Sequence, residues 1–179
     1  GLSKLAAGLI AAGLTPLTAI APQPAPERVG AIKTGKLLTM NDQDQVLDGA
    51  VIVLRGEKIA AVGLAGEVEI PAGAEVIDAS DAWVLPGFVD CHDHVAGSLS
   101  DLNDGVWLTN PGLRTVDTLL PDNEDLKDAR AGGVSAVCLI PGSGNNLSGF
   151  GSVTRTAGAT EGGMDLRAPG SVKIAQAGH

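Results

Sequence analysis

Aromatic residues are scarce in this sequence, which has no tyrosine, two phenylalanines and two tryptophans. A hydrophobic core therefore has to be built from valine, isoleucine, leucine and alanine. The β-branched members of that set favour strands, so strands and α/β layers are expected. With 179 residues, the chain is long enough for one domain or slightly more.

Clustered positive charge is also lacking. The net charge is −9, and no group of lysines and arginines occurs along the chain. Because phosphate binding needs a concentrated basic face, nucleic acid is not expected as a partner. The two cysteines, Cys91 and Cys138, lack CxxC spacing and are too few for a disulfide scaffold. Both are expected to be small hydrophobic residues in buried strands.

The N-terminal part, residues 1–28, is distinct from the rest. Residues 5–21 are apolar, follow Lys4 and end in Ala19-Ile20-Ala21, which is typical of a secretory signal peptide. The favoured interpretation is export, for example to the periplasm, with the segment cleaved or retained in association with a membrane. A packed helix of a cytoplasmic protein is the alternative. Residues 22–28 form a proline-rich linker that cannot continue a helix.

Residues 29–85 predict a small antiparallel β domain. Short β-rich runs alternate with turn residues such as Asn41-Asp42 and Pro71-Ala72-Gly73. Residues 51–54 and 59–62 flank a turn at Gly56 and predict a hairpin. The expected strands are Ala31 to Met40, Gly49 to Arg55, Lys58 to Gly63 and Glu75 to Asp78.

Residues 86–179 predict alternating strands and helices. A candidate buried strand at 87–95 is followed by a capped helix at 121–130 and an apolar strand at 134–140. Strand, helix and strand in this order predict a parallel βαβ crossover. Residues 168–177 suit either a helix or a strand.

The loop at 141–146 follows the second of these strands. Ligands of α/β folds bind at the carboxyl ends of strands, so Asn145 and Asn146 are candidates for a substrate loop. A turn whose glycines only reverse the chain is the alternative.

The strongest chemical signal is the segment Asp90-Cys91-His92-Asp93-His94. Side chains alternate along a strand, so His92 and His94 share one face at a spacing of about 6 to 7 Å. Two such imidazoles can bind one zinc ion, which lowers the pKa of water and polarises a carbonyl. Asp90 would share this face as a supporting residue, and Asp93 would face the helical layer. The alternative is a pair of ordinary surface or core histidines.

The segment from Trp83 to His94 resembles the first barrel strand of the amidohydrolase superfamily, with its Pro-Gly-hydrophobic-hydrophobic-Asp-x-His-x-His signature. Residues 48–53 and 58–63 resemble the N-terminal β-sandwich strands of that superfamily. Residues 129–137 and 141–146 resemble its imidazolonepropionase-like branch. The resemblance implies a β-sandwich and a (β/α)8 barrel with one or two divalent metal ions, zinc being expected. The implied activity is hydrolysis of cyclic amides, peptide-like amides or related C–N bonds.

The barrel cannot be complete within these residues. A full barrel takes roughly 250 residues, and residues 86–179 suffice for about three of the eight strand–helix units. The further ligands that the resemblance implies are a carboxylated lysine or glutamate and two histidines, with an aspartate as general base. None of them maps onto this sequence, because His179, the only other histidine, matches no family position.

The expectation is therefore one subunit of a split hydrolase that acts on a small-molecule amide. A second polypeptide would complete the barrel and supply the missing ligands and the general base. The alternatives are a non-catalytic structural or regulatory subunit that keeps the fold, and a fragment of a longer enzyme.

Overall fold

The computed structural model describes residues 27–95, 97, 102–103, 105–158 and 161–176. The apolar segment at 5–21, most of the linker at 22–28 and His179 lie outside these residues. No helix in the described ranges is both long and apolar enough to cross a bilayer. The strands are β1 (Val29–Leu38), β2 (Val46–Asp48), β3 (Ala50–Arg55), β4 (Lys58–Leu64), β5 (Glu75–Val84), β6 (Phe88–Asp93), β7 (Val134–Leu139), β8 (Leu147–Arg155) and β9 (Asp165–Ile174); the helices are α1 (Glu124–Ala131), α2 (Glu161–Met164) and a 3₁₀ turn (Thr115–Thr118).

The first sheet is built around β1. Strands β3 and β2 pair antiparallel with one edge of β1, and β4 continues the sheet from β3, which confirms the predicted hairpin. The expectation of a purely antiparallel domain is wrong, because β5 pairs parallel with the opposite edge of β1. Residues 65–74 carry the chain back to the end of the sheet where β1 starts, so β5 runs in the direction of β1.

Strand β5 is also longer than predicted and continues to Val84. It stays paired with β1 across a register shift between Thr34 and Lys36. A side chain at Gly35, within that shift, would collide with the carbonyl oxygen of Ser80. The close approach of the two strands therefore depends on glycine at this position.

One face of the first sheet carries its small core. Leu37, Ala50 and Ile52 are buried there, while Ile59 and Val62 on β4 are exposed. In the described residues this region forms a single five-stranded sheet, and the β-sandwich stays a prediction.

The second sheet begins with the predicted crossover. Strands β6 and β7 are parallel, and α1 connects them. The helix starts where the Asn123 side chain accepts a hydrogen bond from the Leu126 backbone N–H at 3.2 Å, and it ends at Gly132. Leu126 is fully buried and packs with Val137 and Leu139 of β7. The βαβ prediction is confirmed.

The expectation of further strand–helix units is wrong for residues 141–174. Strand β8 returns antiparallel to β7, and β9 pairs antiparallel with β8. Only seven residues connect Leu139 to Leu147, whereas a parallel crossover needs a dozen or more. The segment at 168–177, which suited helix or strand, lies largely in β9.

The prediction that strand β6 is buried is wrong. It pairs only with β7 among the described residues, and Phe88 to His92 are exposed. Cys91 is therefore exposed rather than a core residue, while Cys138 on β7 is partly buried. The apolar residues of β6 predicted burial, but in the described residues no element packs over them.

Candidate metal centre

Two histidine side chains lie next to each other where β6 ends. His92 is the second-last residue of β6, and His94 is the first residue after the strand. Their ring centroids are 5.2 Å apart and the rings are nearly perpendicular, at 80°. The two imidazoles therefore face a common space, as the spacing in the sequence predicts.

His94 is held by the neighbouring strand. Its Nδ1 lies 3.0 Å from the carbonyl oxygen of Ile140, directly after β7. A carbonyl oxygen can only accept a hydrogen bond, so Nδ1 carries the proton and the lone pair is on Nε2. Histidine ligands of metals characteristically donate their second ring N–H to a carbonyl or carboxylate in this way. The tautomer of His94 thus suits metal binding through Nε2.

The contact between His94 and Ile140 lies directly beyond the ends of two paired strands. The backbone N–H of Ile140 donates to the carbonyl oxygen of Asp93 at 2.9 Å, and Ile140 itself is buried. The imidazole is therefore held at the carboxyl ends of β6 and β7, where the loop after β7 begins. This crossover is the element that positions the candidate site.

His92 is exposed, and its backbone N–H donates to Oδ1 of Asp90 at 2.9 Å. The pairing of β6 shifts register between Asp90 and Asp93, so strict alternation of side chains does not hold across this segment. The carboxylate of Asp90 serves a local turn in the backbone. Its role as a supporting residue for a metal ligand stays a prediction.

Asp93 lies on the side of the sheet that faces the core. It is opposite Leu139 in the register and is 7% exposed. One carboxylate oxygen accepts from the backbone N–H of Val95 at 3.1 Å, while Oδ2 is buried and has no hydrogen-bond partner among the described residues. Burial raises the pKa of the Asp93 carboxyl above its ordinary value, against the opposing effect of the backbone hydrogen bonds from Val95 and His94.

The two imidazoles fit a divalent metal in chemical type, because zinc is commonly bound by neutral histidine nitrogen. In the described part of the chain, no third histidine, cysteine, aspartate or glutamate joins them in a possible metal-binding group. Catalytic zinc sites use three protein ligands. The described residues thus hold fewer ligands than such a site requires.

The two asparagines predicted for a substrate loop differ in their surroundings. Asn145 is 2% exposed; its Nδ2 donates to the carbonyl oxygen of Trp107 at 3.1 Å, and its Oδ1 accepts from the Ser148 hydroxyl. These bonds hold the loop together, which favours the structural alternative for Asn145. Asn146 is exposed, and substrate contact by its side chain stays a prediction.

Sequence reasoning missed the contribution of residues 102–103 and 105–118. These residues pack against the loop after β7 and enclose with it a cavity of about 110 Å³, lined by Leu102, Thr115, Pro141 and Ser148 among others. Nearby, Arg114 donates to both carboxylate oxygens of Asp117, at 2.8 and 3.0 Å. Backbone contacts with residues 145–150 hold this segment in place. Such contacts do not require a periodic pattern of side chains, so the sequence gives no sign of them.

No protein-family model matches the chain. Similar proteins include a dihydroorotase of Anaeromyxobacter dehalogenans, 38% identical over 96 residues, which make up 53% of this chain and 18% of that protein. A 5-methylthioadenosine/S-adenosylhomocysteine deaminase of Bacillus thuringiensis is 39% identical over 82 residues, covering 44% of this chain and 18% of the relative. An imidazolonepropionase of Paenarthrobacter aurescens is 44% identical over 61 residues, covering 34% and 14%.

Among solved structures, an amidohydrolase from Thermotoga maritima superposes with a TM-score of 0.70 at 24% identity. The match covers 80% of this chain and 38% of that protein. At this identity the likeness concerns the fold alone. Because the match covers 80% of the chain, it includes strands of both sheets. The chain spans less than a fifth of the length of the curated relatives named above.

Proposed function

We propose that this chain belongs to the amidohydrolase superfamily, as an N-terminal portion, and that it is part of a metal-dependent hydrolase of C–N bonds. In this proposal His92 and His94 are two of the metal ligands. The observation that carries it is the hydrogen bond from His94 Nδ1 to the Ile140 carbonyl oxygen, beside a second imidazole with its centroid at 5.2 Å. An ordinary surface histidine needs neither a preset tautomer nor an adjacent imidazole.

A divalent ion such as zinc, when bound, lowers the pKa of water towards neutrality and polarises a carbonyl group. The contribution of this chain is to hold the two nitrogen ligands in place. Ile140 fixes the ring of His94, and the parallel pair β6–β7 sets the distance between the histidines and the loop after β7. Bound substrate would lie at the carboxyl ends of these strands, as in other α/β folds.

The substrate class proposed is a small molecule with a cyclic or peptide-like amide. The named relatives include a dihydroorotase and an imidazolonepropionase, and also a deaminase, so a substrate that loses an amino group belongs to the same broad class. All of these fit the breaking of a C–N bond by activated water.

The remaining ligands and the general base are proposed to come from protein outside the described residues, carried by a second polypeptide. The outer edge of β6 supports this, because β6 pairs only with β7 within the described ranges and exposes Phe88 and Val89. Unpaired, apolar strand edges of this kind bind further strands. Strands from a continuation of the same polypeptide would pair with this edge equally well, so an experiment has to identify which polypeptide supplies them.

Zinc titration by calorimetry tests the ligand assignment. We expect His92→Ala and His94→Ala each to weaken zinc binding by about 100-fold or more, since loss of a supporting partner alone costs about 10- to 100-fold. His179→Ala is the matched control and should bind zinc as the parent protein does. Zinc binding that survives both substitutions would exclude these histidines as ligands.

Native mass spectrometry of the protein purified from its source tests the second polypeptide. A stoichiometric partner chain with one or two zinc ions per complex supports the split enzyme. A longer polypeptide that contains this sequence would instead place the missing ligands in the same chain. A metal-free assembly with no hydrolase activity would favour the non-catalytic, structural alternative.

A further inference from the structure

A short apolar segment is exposed beside the loop that follows β7. Trp107 is 68% exposed and Leu108 is 51% exposed, and Val106 before them is exposed as well. Consecutive large apolar side chains on a surface carry an energetic cost in water and characteristically mark contact sites. We call Trp107 and Leu108 the apolar wall.

The backbone of the apolar wall is firmly held. The carbonyl oxygen of Trp107 accepts hydrogen bonds from the side-chain amides of Asn110 at 3.0 Å and Asn145 at 3.1 Å, and both asparagines are buried. The carbonyl oxygen of Leu108 accepts from the backbone N–H groups of Asn146 at 2.9 Å and Leu147 at 3.2 Å. Four donors thus fix two consecutive carbonyl groups, so the exposed side chains are presented by a rigid backbone.

The apolar wall is connected to the histidine pair through one loop. Ile140, whose carbonyl oxygen holds His94, and Asn145, whose amide holds Trp107, are separated by only four residues in the loop that follows β7. The wall and the candidate metal ligands are therefore both attached at the carboxyl end of β7. Ligands of α/β folds bind at this end of the sheet.

From this arrangement we propose that Trp107, with Leu108, contacts the substrate, and that the substrate carries an aromatic or other flat apolar group next to its scissile C–N bond. The inference rests on the proposed function, because it places that group relative to the histidine pair. Stacking on an indole ring favours such a group over an aliphatic amide of minimal size. Trp107 would act as a specificity-determining residue and not as a metal ligand.

Benzamide and acetamide are suitable probes, because they share the amide and differ in the phenyl group. The zinc-loaded protein, in the assembly in which it is purified, would carry 5-fluorotryptophan in this chain, whose two fluorine signals report Trp83 and Trp107. We expect benzamide to shift the Trp107 signal and leave the Trp83 signal in place, and acetamide to shift neither. Trp107→Ala should raise the Kd for benzamide about tenfold, whereas Trp83→Ala, which removes another exposed tryptophan, should leave it unchanged.

The result that overturns the inference is benzamide binding that Trp107→Ala does not weaken, or equal responses from both tryptophans. A Trp107 signal that shifts only when a partner chain is removed would assign the wall to a subunit interface and would also overturn it. If benzamide does not shift the Trp107 signal while zinc binding still depends on His92 and His94, the inference is overturned and the proposed function stands. Trp107-dependent benzamide binding without histidine-dependent zinc binding would instead refute the proposed function.

Discussion

Replacing Asn145 with alanine tests whether the loop after β7 depends on a buried amide. The substitution removes the hydrogen bond from Nδ2 to the Trp107 carbonyl oxygen and the one that Oδ1 accepts from Ser148. A typical intramolecular hydrogen bond contributes about 0.5 to 1.5 kcal/mol net, so the two together amount to about 1 to 3 kcal/mol of unfolding free energy. The Trp107 carbonyl oxygen still accepts a hydrogen bond from the Asn110 side-chain amide in the variant. We therefore expect a loss of unfolding free energy within this range rather than above it.

Urea unfolding monitored by circular dichroism measures the effect, with the midpoint falling and the m-value unchanged. Asn146→Ala is the matched control, because Asn146 is the adjacent residue of the same type and is exposed. A surface substitution of this kind is expected to change the stability by no more than about 0.5 kcal/mol. If the two variants are equally stable, the buried hydrogen bonds of Asn145 do not hold the loop, and the rigid presentation of Trp107 loses its support.

Two further predictions concern the packing of α1 on the second sheet and a carboxylate of the first sheet. Leu126→Ala in α1 should lower the free energy of unfolding by about 2 to 5 kcal/mol in urea titrations, because Leu126 is fully buried against β7, whereas Leu120→Ala at an exposed position should cost far less; equal costs would contradict the packing of α1. Ser80→Ala should raise the pKa of Asp78 in an NMR titration, because the Ser80 hydroxyl and backbone N–H groups lower that pKa by hydrogen bonding to the carboxylate. Such a depressed pKa adds stability above the ordinary aspartate pKa, and this contribution is lost as the pH falls through the folded-state value; an unchanged Asp78 pKa in the variant would refute the assignment.

Local signals in the sequence were sufficient for several elements. The acids at the start of the segment 121–130 and Gly132 after its end predicted a capped helix, and α1 occupies Glu124–Ala131, since capping depends on residues within a few positions. The hairpin of β3 and β4 followed from the turn at Gly56, which adopts a positive φ of 55°. The spacing of His92 and His94 predicted that their rings lie close together, and the ring centroids are 5.2 Å apart.

Other features depended on pairing between distant segments. The parallel pairing of β5 with β1 and the antiparallel return of β8 depend on where the chain crosses, which residue periodicity does not encode. The exposure of β6 is a similar case, because an apolar strand has the same sequence whether or not another strand covers it.

The sequence by itself determined the side chains of the candidate site: two imidazoles, two residues apart, at the end of a strand that enters a βαβ crossover. Only the tertiary structure decided how those groups are held and what surrounds them. The Ile140 carbonyl oxygen that sets the tautomer of His94 is 46 residues away along the chain, and the Asn145 amide that fixes Trp107 is 38 residues away. Backbone carbonyl groups are the same at every residue, so their role as hydrogen-bond partners depends on the fold and leaves no trace in the local sequence.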